Sequence, residues 1–144
     1  MDKINFQPVI WGGAAWKFLH CVALSYPTNP TVAIKNDYKN FFMSIGNVLP
    51  CNSCAGNFEE HIKIHNIDNY LSHPHDLFEW TVLMRNEVQI KIGRPLYDST
   101  TLREQLYNEN ENANNSSKLL TKTNIIILTL IILAGIYIYK NQKK

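Results

Sequence analysis

The C-terminal end of the chain holds the feature that most limits how the protein can fold. Residues 123–139 form a run of 17 residues without a charge, between Lys122 and Lys140. As an α-helix this run is ~25 Å long, near the lower limit for a membrane span. Because the run is apolar on every face, the rest of this 144-residue chain is too small to enclose it. We therefore expect a C-terminal transmembrane helix at residues 123–139, followed by a basic tail at residues 140–144.

The flanks of this run bear on its orientation. Tyr137 and Tyr139, followed by lysines, are typical of a membrane interface. Residues 1–10 lack the pattern of a signal peptide, which favours a single-pass tail anchor with the preceding domain in the cytosol. Two lysines precede the run and three follow it. By the positive-inside rule, this small excess after the run weakly favours the opposite orientation.

A polar segment precedes the predicted anchor. Residues 108–117 read NENENANNSS, and we expect residues 108–122 to form a flexible, Asn-rich tether. Two glycosylation sequons begin at Asn114 and Asn115, and they can be used only if the tether faces a lumen.

The charge of the chain is unevenly distributed. Residues 1–117 contain nine Lys and Arg against all twelve Asp and Glu, whereas the last 27 residues carry five lysines and no acid. The overall charge of +2 therefore belongs to the tail and gives no support to nucleic-acid binding. The length excludes a two-domain enzyme or a barrel, and three cysteines are too few for a disulfide-stapled secreted fold.

Residues 1–107 have the periodicity of helices. Apolar residues recur at positions i, i+3, i+4 and i+7, and no alternation of useful length predicts a strand. Prolines, capping residues and a glycine at position 93 separate the helices. The pattern predicts an all-α four-helix bundle with a short fifth helix, whose helices lie at Trp11–Tyr26, Thr31–Leu49, Cys51–Ile62, Pro74–Ile92 and Ser99–Tyr107.

A C-x-x-C pair, Cys51 and Cys54, directly follows Pro50 at a predicted helix start. The unpaired N–H groups of a helix N-terminus stabilise a thiolate, so this pair suits an exchangeable disulfide. Zinc binding with His61 and His65 would need ligands ~10 Å apart on one helix to meet at one ion. We expect those two histidines on a solvated helix face, and we predict no metal site.

Two further interpretations concern redox chemistry. A thioredoxin-like dithiol normally follows a strand, and no such strand is predicted. A flavin-linked dithiol draws support from Trp16 and His20, which share a helix face one turn apart, although core packing is the simpler explanation of Trp16 alone. Amides and cations in residues 85–95 could meet a ring edge and a pyrophosphate, or form an ordinary solvated face.

Together and in this order, these three segments resemble the Erv/ALR family of FAD-linked sulfhydryl oxidases. The resemblance extends over residues 11–107. WGGAAWKFLH at residues 11–20, followed by Tyr26-Pro27, is similar to the family's W-x-x-L-H…Y-P opening. LPCNSC at residues 49–54 is similar to its redox motif. The third motif, H-N-x-V-N…K-x-x-K-P-x-[FY]-D, is similar to RNEVQ at residues 85–89 with Lys91, Gly93-Arg94-Pro95 and Tyr97-Asp98.

The resemblance implies a helical bundle that holds FAD at its mouth, usually as a homodimer. It makes Cys51 and Cys54 the catalytic pair. Arg85 replaces a family histidine, and Gln89 replaces a family asparagine. The cofactor-binding residues that it implies are Gly12, Gly13, Trp16, His20, Tyr26, Arg85, Asn86, Gln89, Lys91, Arg94 and Tyr97.

The activity implied is that of an FAD-dependent thiol oxidase that forms disulfide bonds in protein substrates, with a thioredoxin-like carrier as one candidate partner. A substrate thiolate would attack Cys51, Cys54 would lie nearer the flavin, and electrons would pass from FAD to O2 to give H2O2. Small virus-encoded members likewise lack a second C-x-x-C. By analogy, we expect a role in viral protein disulfide formation and virion assembly, at a viral, host cytoplasmic or ER-derived membrane or in the virion.

Two further expectations concern Cys21 and the class of protein. Cys21 lies within the apolar arc of the first helix, so we expect a buried, inert thiol. The alternative to the enzyme is a non-enzymatic, tail-anchored helical scaffold whose C-x-x-C is structural. Bound flavin would distinguish these two classes.

Overall fold

A computed structural model of the protein describes residues 4–142, with side chains described for residues 4–134. Over residues 4–142 the chain forms α-helices, one 3-10 helix and no strand, so the predicted all-α class is confirmed. Contacts divide the chain into two compact units, Met1–Leu102 and Arg103–Lys144. The elements are α1 (Pro8–Leu24), α2 (Val32–Val48), α3 (Asn52–Ile64), the 3-10 helix (Ile67–Tyr70), α4 (Pro74–Lys91) and α5 (Ser99–Gln142).

The helix ends follow from local signals in the sequence. Pro8 and Pro74 occupy the first turns of α1 and α4, where a missing N–H leaves no bond unmade. Pro8 begins α1 three residues before the predicted start at Trp11. The Thr31 side chain accepts a hydrogen bond from the Ile34 backbone and caps α2. Gly93 follows α4 with a φ of 65°, a backbone conformation that residues with a side chain rarely adopt.

The core of the first unit lies between α1 and α4 and between α2 and α3. Phe42 of α2 and Trp80 of α4 meet edge to face, with ring centroids 5.3 Å apart, and both are almost fully buried. The Trp80 indole N–H donates to the His65 carbonyl at the end of α3, at 2.8 Å. The ring contact thus joins α2 to α4, and the indole hydrogen bond joins α4 to the end of α3.

The second unit, residues 103–144, differs from the expectation of a short helix and a flexible tether. The helical backbone of α5 includes residues 108–122. No Gly or Pro occurs in residues 99–134 to interrupt it, and hydroxyl groups such as that of Ser116 bond back to carbonyls within the helix. The polar composition of residues 108–122 is therefore compatible with a helix. The domain boundaries at residues 107, 122 and 139 stay predictions.

The predicted anchor lies within α5. This helix contains a stretch of 18 residues that is long and apolar enough to cross a membrane. The stretch has a mean hydropathy of 1.6, and none of it is buried. The side chains of Tyr137, Tyr139 and the basic tail at residues 140–144 lie outside the described residues.

Candidate active site

Cys51 and Cys54 form a disulfide at the N-terminus of α3, with their Cα atoms 5.2 Å apart. Cys51 is the N-cap residue, and its sulfur accepts a hydrogen bond from the Cys54 backbone N–H at 3.2 Å. After reduction, this N–H and the positive end of the helix dipole would stabilise a thiolate. The two sulfurs differ in their surroundings, because Cys51 is only 3% exposed whereas Cys54 faces a cavity.

That cavity, of about 290 Å³, is enclosed by residues of α1, α2, α3 and α4 together with Leu49. Its lining is almost entirely apolar, and Cys54 brings one sulfur of the disulfide to its wall. The cavity can hold a flat, mostly apolar ring system directly beside a redox-active sulfur. Principal lining residues are Trp16, Leu19, Phe41, Cys54, Phe58 and Val88.

Trp16 and His20 lie on one face of α1, with ring centroids 6.0 Å apart and planes at 25°. Trp16 lines the cavity, whereas His20 is buried. Phe78 of α4 also contacts the His20 ring, at 5.4 Å between centroids and with the planes tilted by 58°. The predicted common face is therefore present, with Trp16 at the cavity and His20 packed against α4.

A chain of hydrogen bonds defines the protonation state of His20. The Thr81 hydroxyl donates to the Phe78 carbonyl at 2.6 Å, so its oxygen is left to accept from His20 Nδ1–H at 2.8 Å. His20 Nε2 then carries a lone pair, which accepts from Arg85 at 3.3 Å. Burial, and secondarily the Arg85 charge, lower the pKa of His20 from 6.5 to about 4. His20 is thus neutral at physiological pH.

Arg85 of α4 is held by an aromatic ring and not by a carboxylate. Its guanidinium lies 3.5 Å from the centroid of the Tyr97 ring. Among the described side chains, no acidic group forms an ion pair with it. Its Nε atom is buried and has no hydrogen-bond partner. A half-buried cation with a buried, unpaired donor atom is suited to an anionic or carbonyl-bearing ligand.

Asn86 holds the segment after α4 in place. Its side-chain amide donates to the Tyr97 carbonyl at 3.0 Å and accepts from the Tyr97 N–H at 2.8 Å. These two bonds place the Tyr97 ring over Arg85. Asn86 therefore satisfies its hydrogen bonds within the chain and positions its neighbour in sequence, Arg85.

The family assignment follows from comparison with known proteins. The model of the Erv1/Alr family matches residues 13–108, most of the chain. The chain belongs to the Erv1/Alr family. This result confirms the resemblance drawn from residues 11–107.

Relatives and solved structures of the Erv1/Alr family extend this result. "Probable FAD-linked sulfhydryl oxidase" of Acanthamoeba polyphaga mimivirus is 39% identical over 91 residues, 62% of this chain and 64% of that protein. "Mitochondrial FAD-linked sulfhydryl oxidase" of Saccharomyces cerevisiae is 36% identical over 87 residues, 60% of this chain and 45% of that protein. The chain thus matches less than two thirds of each relative's length. The crystal structure of the FAD-binding domain of yeast Erv1 superposes with a TM-score of 0.66 at 28% identity, covering 71% of this chain and 95% of that one.

Only some of the other predicted cofactor residues of this Erv1/Alr chain line the cavity. Gly12 lines it, whereas Gly13 is exposed and a Cβ there would meet no atom within 4 Å. Tyr26 is buried elsewhere, and its hydroxyl donates to the Leu71 carbonyl at 3.0 Å. Tyr26 and Gly13 are therefore not brought to the cavity in this structure.

Three more predicted residues lie at the end of α4 and just beyond it. Gln89 is buried, and its backbone carbonyl accepts a hydrogen bond from the Arg94 backbone N–H at 3.0 Å. Lys91 is exposed and donates to the Asn57 side chain, while Asn57 itself lines the cavity. The Arg94 side chain is exposed. Arg94 is thus exposed to a ligand that extends outward from the bundle, whereas Lys91 would have to exchange its contacts with Asn57 and Glu60 for such a ligand.

Two predictions about individual side chains are wrong. His61, expected on a solvated face, is 6% exposed; burial lowers its pKa, and its Nδ1 atom has no partner. His65 is half-buried and lies 2.8 Å from a Glu87 oxygen. Cys21, expected to be buried, is exposed. The buried face of α1 consists of Leu19, His20 and Ala23, and Cys21 lies outside it.

Thr81 contacts the site but belongs to none of the three sequence motifs. It is 1% exposed, and its hydroxyl determines which nitrogen of His20 carries the proton. The available signal was a hydroxyl one helical turn before Arg85, on the same face of α4. Nothing in the sequence indicated that this face would meet His20, 61 residues earlier.

Proposed function

We propose that this chain is an FAD-dependent sulfhydryl oxidase that forms disulfide bonds in protein substrates. The observation that carries the proposal is the position of Cys54. It belongs to a disulfide at a helix N-terminus, and it also forms part of the wall of an apolar cavity lined by Trp16. The names of the mimivirus and yeast relatives, both FAD-linked sulfhydryl oxidases, support the same activity.

The residues around the cavity fit FAD. An apolar, aromatic lining suits the isoalloxazine ring. Arg85 lies outside that lining and contacts His20, and its buried, unpaired Nε is a donor for an acceptor atom of a ligand. Trp16, Leu19 and Phe58 would contact the ring. Lys91 and Arg94 would contact the phosphates farther out. His20, being neutral, adds no second buried charge beside Arg85.

The thiol chemistry follows from the positions of the two sulfurs. A substrate thiolate attacks Cys51, the Cys51–Cys54 bond breaks, and Cys54 leaves as a thiolate at the cavity wall. The N-terminus of α3 stabilises negative charge at this position. A second substrate thiolate attacks the mixed disulfide, which releases the substrate disulfide and the Cys51 thiolate. Bound FAD would supply the two-electron redox chemistry between this dithiol and O2, so that two thiols and O2 give one disulfide and H2O2.

We further propose a membrane location, a viral role and a homodimer for this protein. The apolar window of α5 and the lysines that flank it support a single-pass membrane anchor. The mimivirus relative supports a viral source, with disulfide formation in viral proteins as the role. A homodimer is proposed by family analogy. Glycan addition at Asn114 or Asn115 would contradict a cytosolic domain.

The test is purification of the full chain in detergent, followed by measurement of bound flavin and thiol-dependent O2 consumption. We expect a yellow protein that consumes O2 and releases H2O2 with a reduced protein substrate. Cys51→Ser and Cys54→Ser should each abolish this turnover. Cys21→Ser is the matched control, because Cys21 is exposed and unpaired, and it should keep full activity. A folded, colourless chain that FAD does not reconstitute would favour the membrane scaffold.

A further inference from the structure

The segment that precedes α1 lies against both neighbours of Cys51. The Phe6 backbone N–H donates to the Pro50 carbonyl at 2.7 Å. The Asn52 backbone N–H donates to the Asn5 side-chain oxygen at 3.1 Å. Asn52 is the first residue of α3, so its N–H has no partner within the helix and needs one from outside. The N-terminal segment, residues 4–7, therefore satisfies the polar groups on either side of the disulfide.

The N-terminal segment enters this position as extended chain. Gln7, the N-cap residue of α1, has φ −65° and ψ 130°. The Phe6 carbonyl accepts from the Trp11 indole N–H at 3.3 Å, which ties the segment to α1. The side chains hold it less firmly, because Ile4 is 72% exposed and Phe6 is 48% exposed. A segment with so few buried contacts belongs to the least stable part of a fold.

Cys51 is almost fully buried in this structure, although the proposed chemistry requires access to it. The sulfur of Cys51 has to be reached by a thiolate carried on another polypeptide, yet Cys51 is only 3% exposed. The groups on either side of it, the Pro50 carbonyl and the Asn52 N–H, offer one acceptor and one donor to an extended chain. A substrate segment in an extended conformation can supply the complementary N–H and oxygen atoms.

From this geometry we propose that the N-terminal segment occupies the binding site for substrate polypeptide beside Cys51. An extended, cysteine-bearing segment of the substrate displaces residues 4–7 and takes over the hydrogen bonds to Pro50 and Asn52. This inference rests on the proposed function and adds to it the class of substrate segment: extended chain, such as a flexible terminus or loop. Cysteines within a substrate helix, whose backbone N–H groups are already paired, are excluded from this site.

The test is the rate at which iodoacetamide alkylates Cys51 in the reduced full chain, resolved by residue with mass spectrometry. Deletion of residues 1–6 should raise the rate at Cys51 roughly tenfold, the effect of removing one or two hydrogen bonds. Asn5→Ala, which removes one of them and keeps the segment, should raise it less. Asn40→Ala, an exposed asparagine of α2, is the matched control and should leave it unchanged. Cys21 is exposed in the same molecule and provides an internal reference rate.

A peptide added to the deleted chain tests whether the vacated position accepts extended chain. A decapeptide with the sequence of residues 1–10 should restore slow alkylation of Cys51, whereas the same residues in scrambled order should not. Equal Cys51 rates in the intact chain, the deletion and Asn5→Ala would overturn the proposal, as would a deletion that the peptide does not protect. Alkylation needs neither flavin nor O2, so a failure of the oxidase activity would leave this result separately readable.

Discussion

The burial of neutral His20 leads us to expect a measurable loss of stability in acid. Its pKa is lowered to about 4 in the folded chain, against 6.5 for the free side chain. Below pH 6.5 the unfolded chain therefore takes up a proton at His20 that the folded chain does not take up until pH falls to about 4. Stability consequently decreases as pH falls through this window. A shift of this size corresponds to ~3 kcal/mol lost by pH 4, relative to neutral pH.

The assay is urea unfolding of the flavin-free protein at a series of pH values between 4 and about 7.5, compared with His20→Asn. The asparagine side-chain NH2 lies where His20 Nδ1 does and can still donate to Thr81, but it does not titrate. Carboxylates that protonate in this range are present in both proteins, so their contributions cancel. We expect the free energy of unfolding of the original chain to fall by ~3 kcal/mol more than that of the variant. Parallel pH profiles for the two proteins would refute the assignment of His20 as a buried, neutral group.

Further predictions concern side chains that shape the core and the cavity. Gly56→Ala in α3 should stabilise the protein by about 0.5–1 kcal/mol, because the new methyl group meets no atom within 4 Å. Gly46→Ala should lose this gain and weaken FAD binding, since its Cβ would lie 3.1 Å from the ring of Phe58, which lines the cavity. Equal urea midpoints and equal FAD affinities for the two variants would contradict this reasoning. Trp80→Phe should destabilise by about 1–3 kcal/mol, because the part-buried His65 carbonyl loses its indole donor; a smaller loss would show that water replaces the bond.

Much of the fold could be predicted from local signals. Proline, threonine and glycine set helix ends at Pro74, Thr31 and Gly93, and the apolar periodicity gave four helices in the right order. The bundle class is confirmed. Residues 108–122 have helical backbone and belong to α5, because polar residues without glycine or proline stay compatible with a helix.

The site could be predicted in its motifs but not in its contacts. The C-x-x-C pair and the shared face of Trp16 and His20 follow from spacing of a few residues. The burial of His61 and the exposure of Cys21 depend on which neighbouring helix covers each face, and periodicity does not encode that choice. The contact of Asn5 with α3 joins residues 47 positions apart, far beyond any local pattern.

The most direct test of electron transfer through Cys51 and Cys54 is anaerobic reduction of the purified full chain by dithiothreitol, followed by its flavin absorbance. We expect the flavin to bleach in the original chain and in Cys21→Ser and to recover on admission of air. We expect the flavin to stay oxidised in Cys54→Ser, because this variant lacks the thiol at the cavity wall. Bleaching of the Cys54→Ser protein at the rate of the original chain would contradict electron transfer through Cys51 and Cys54.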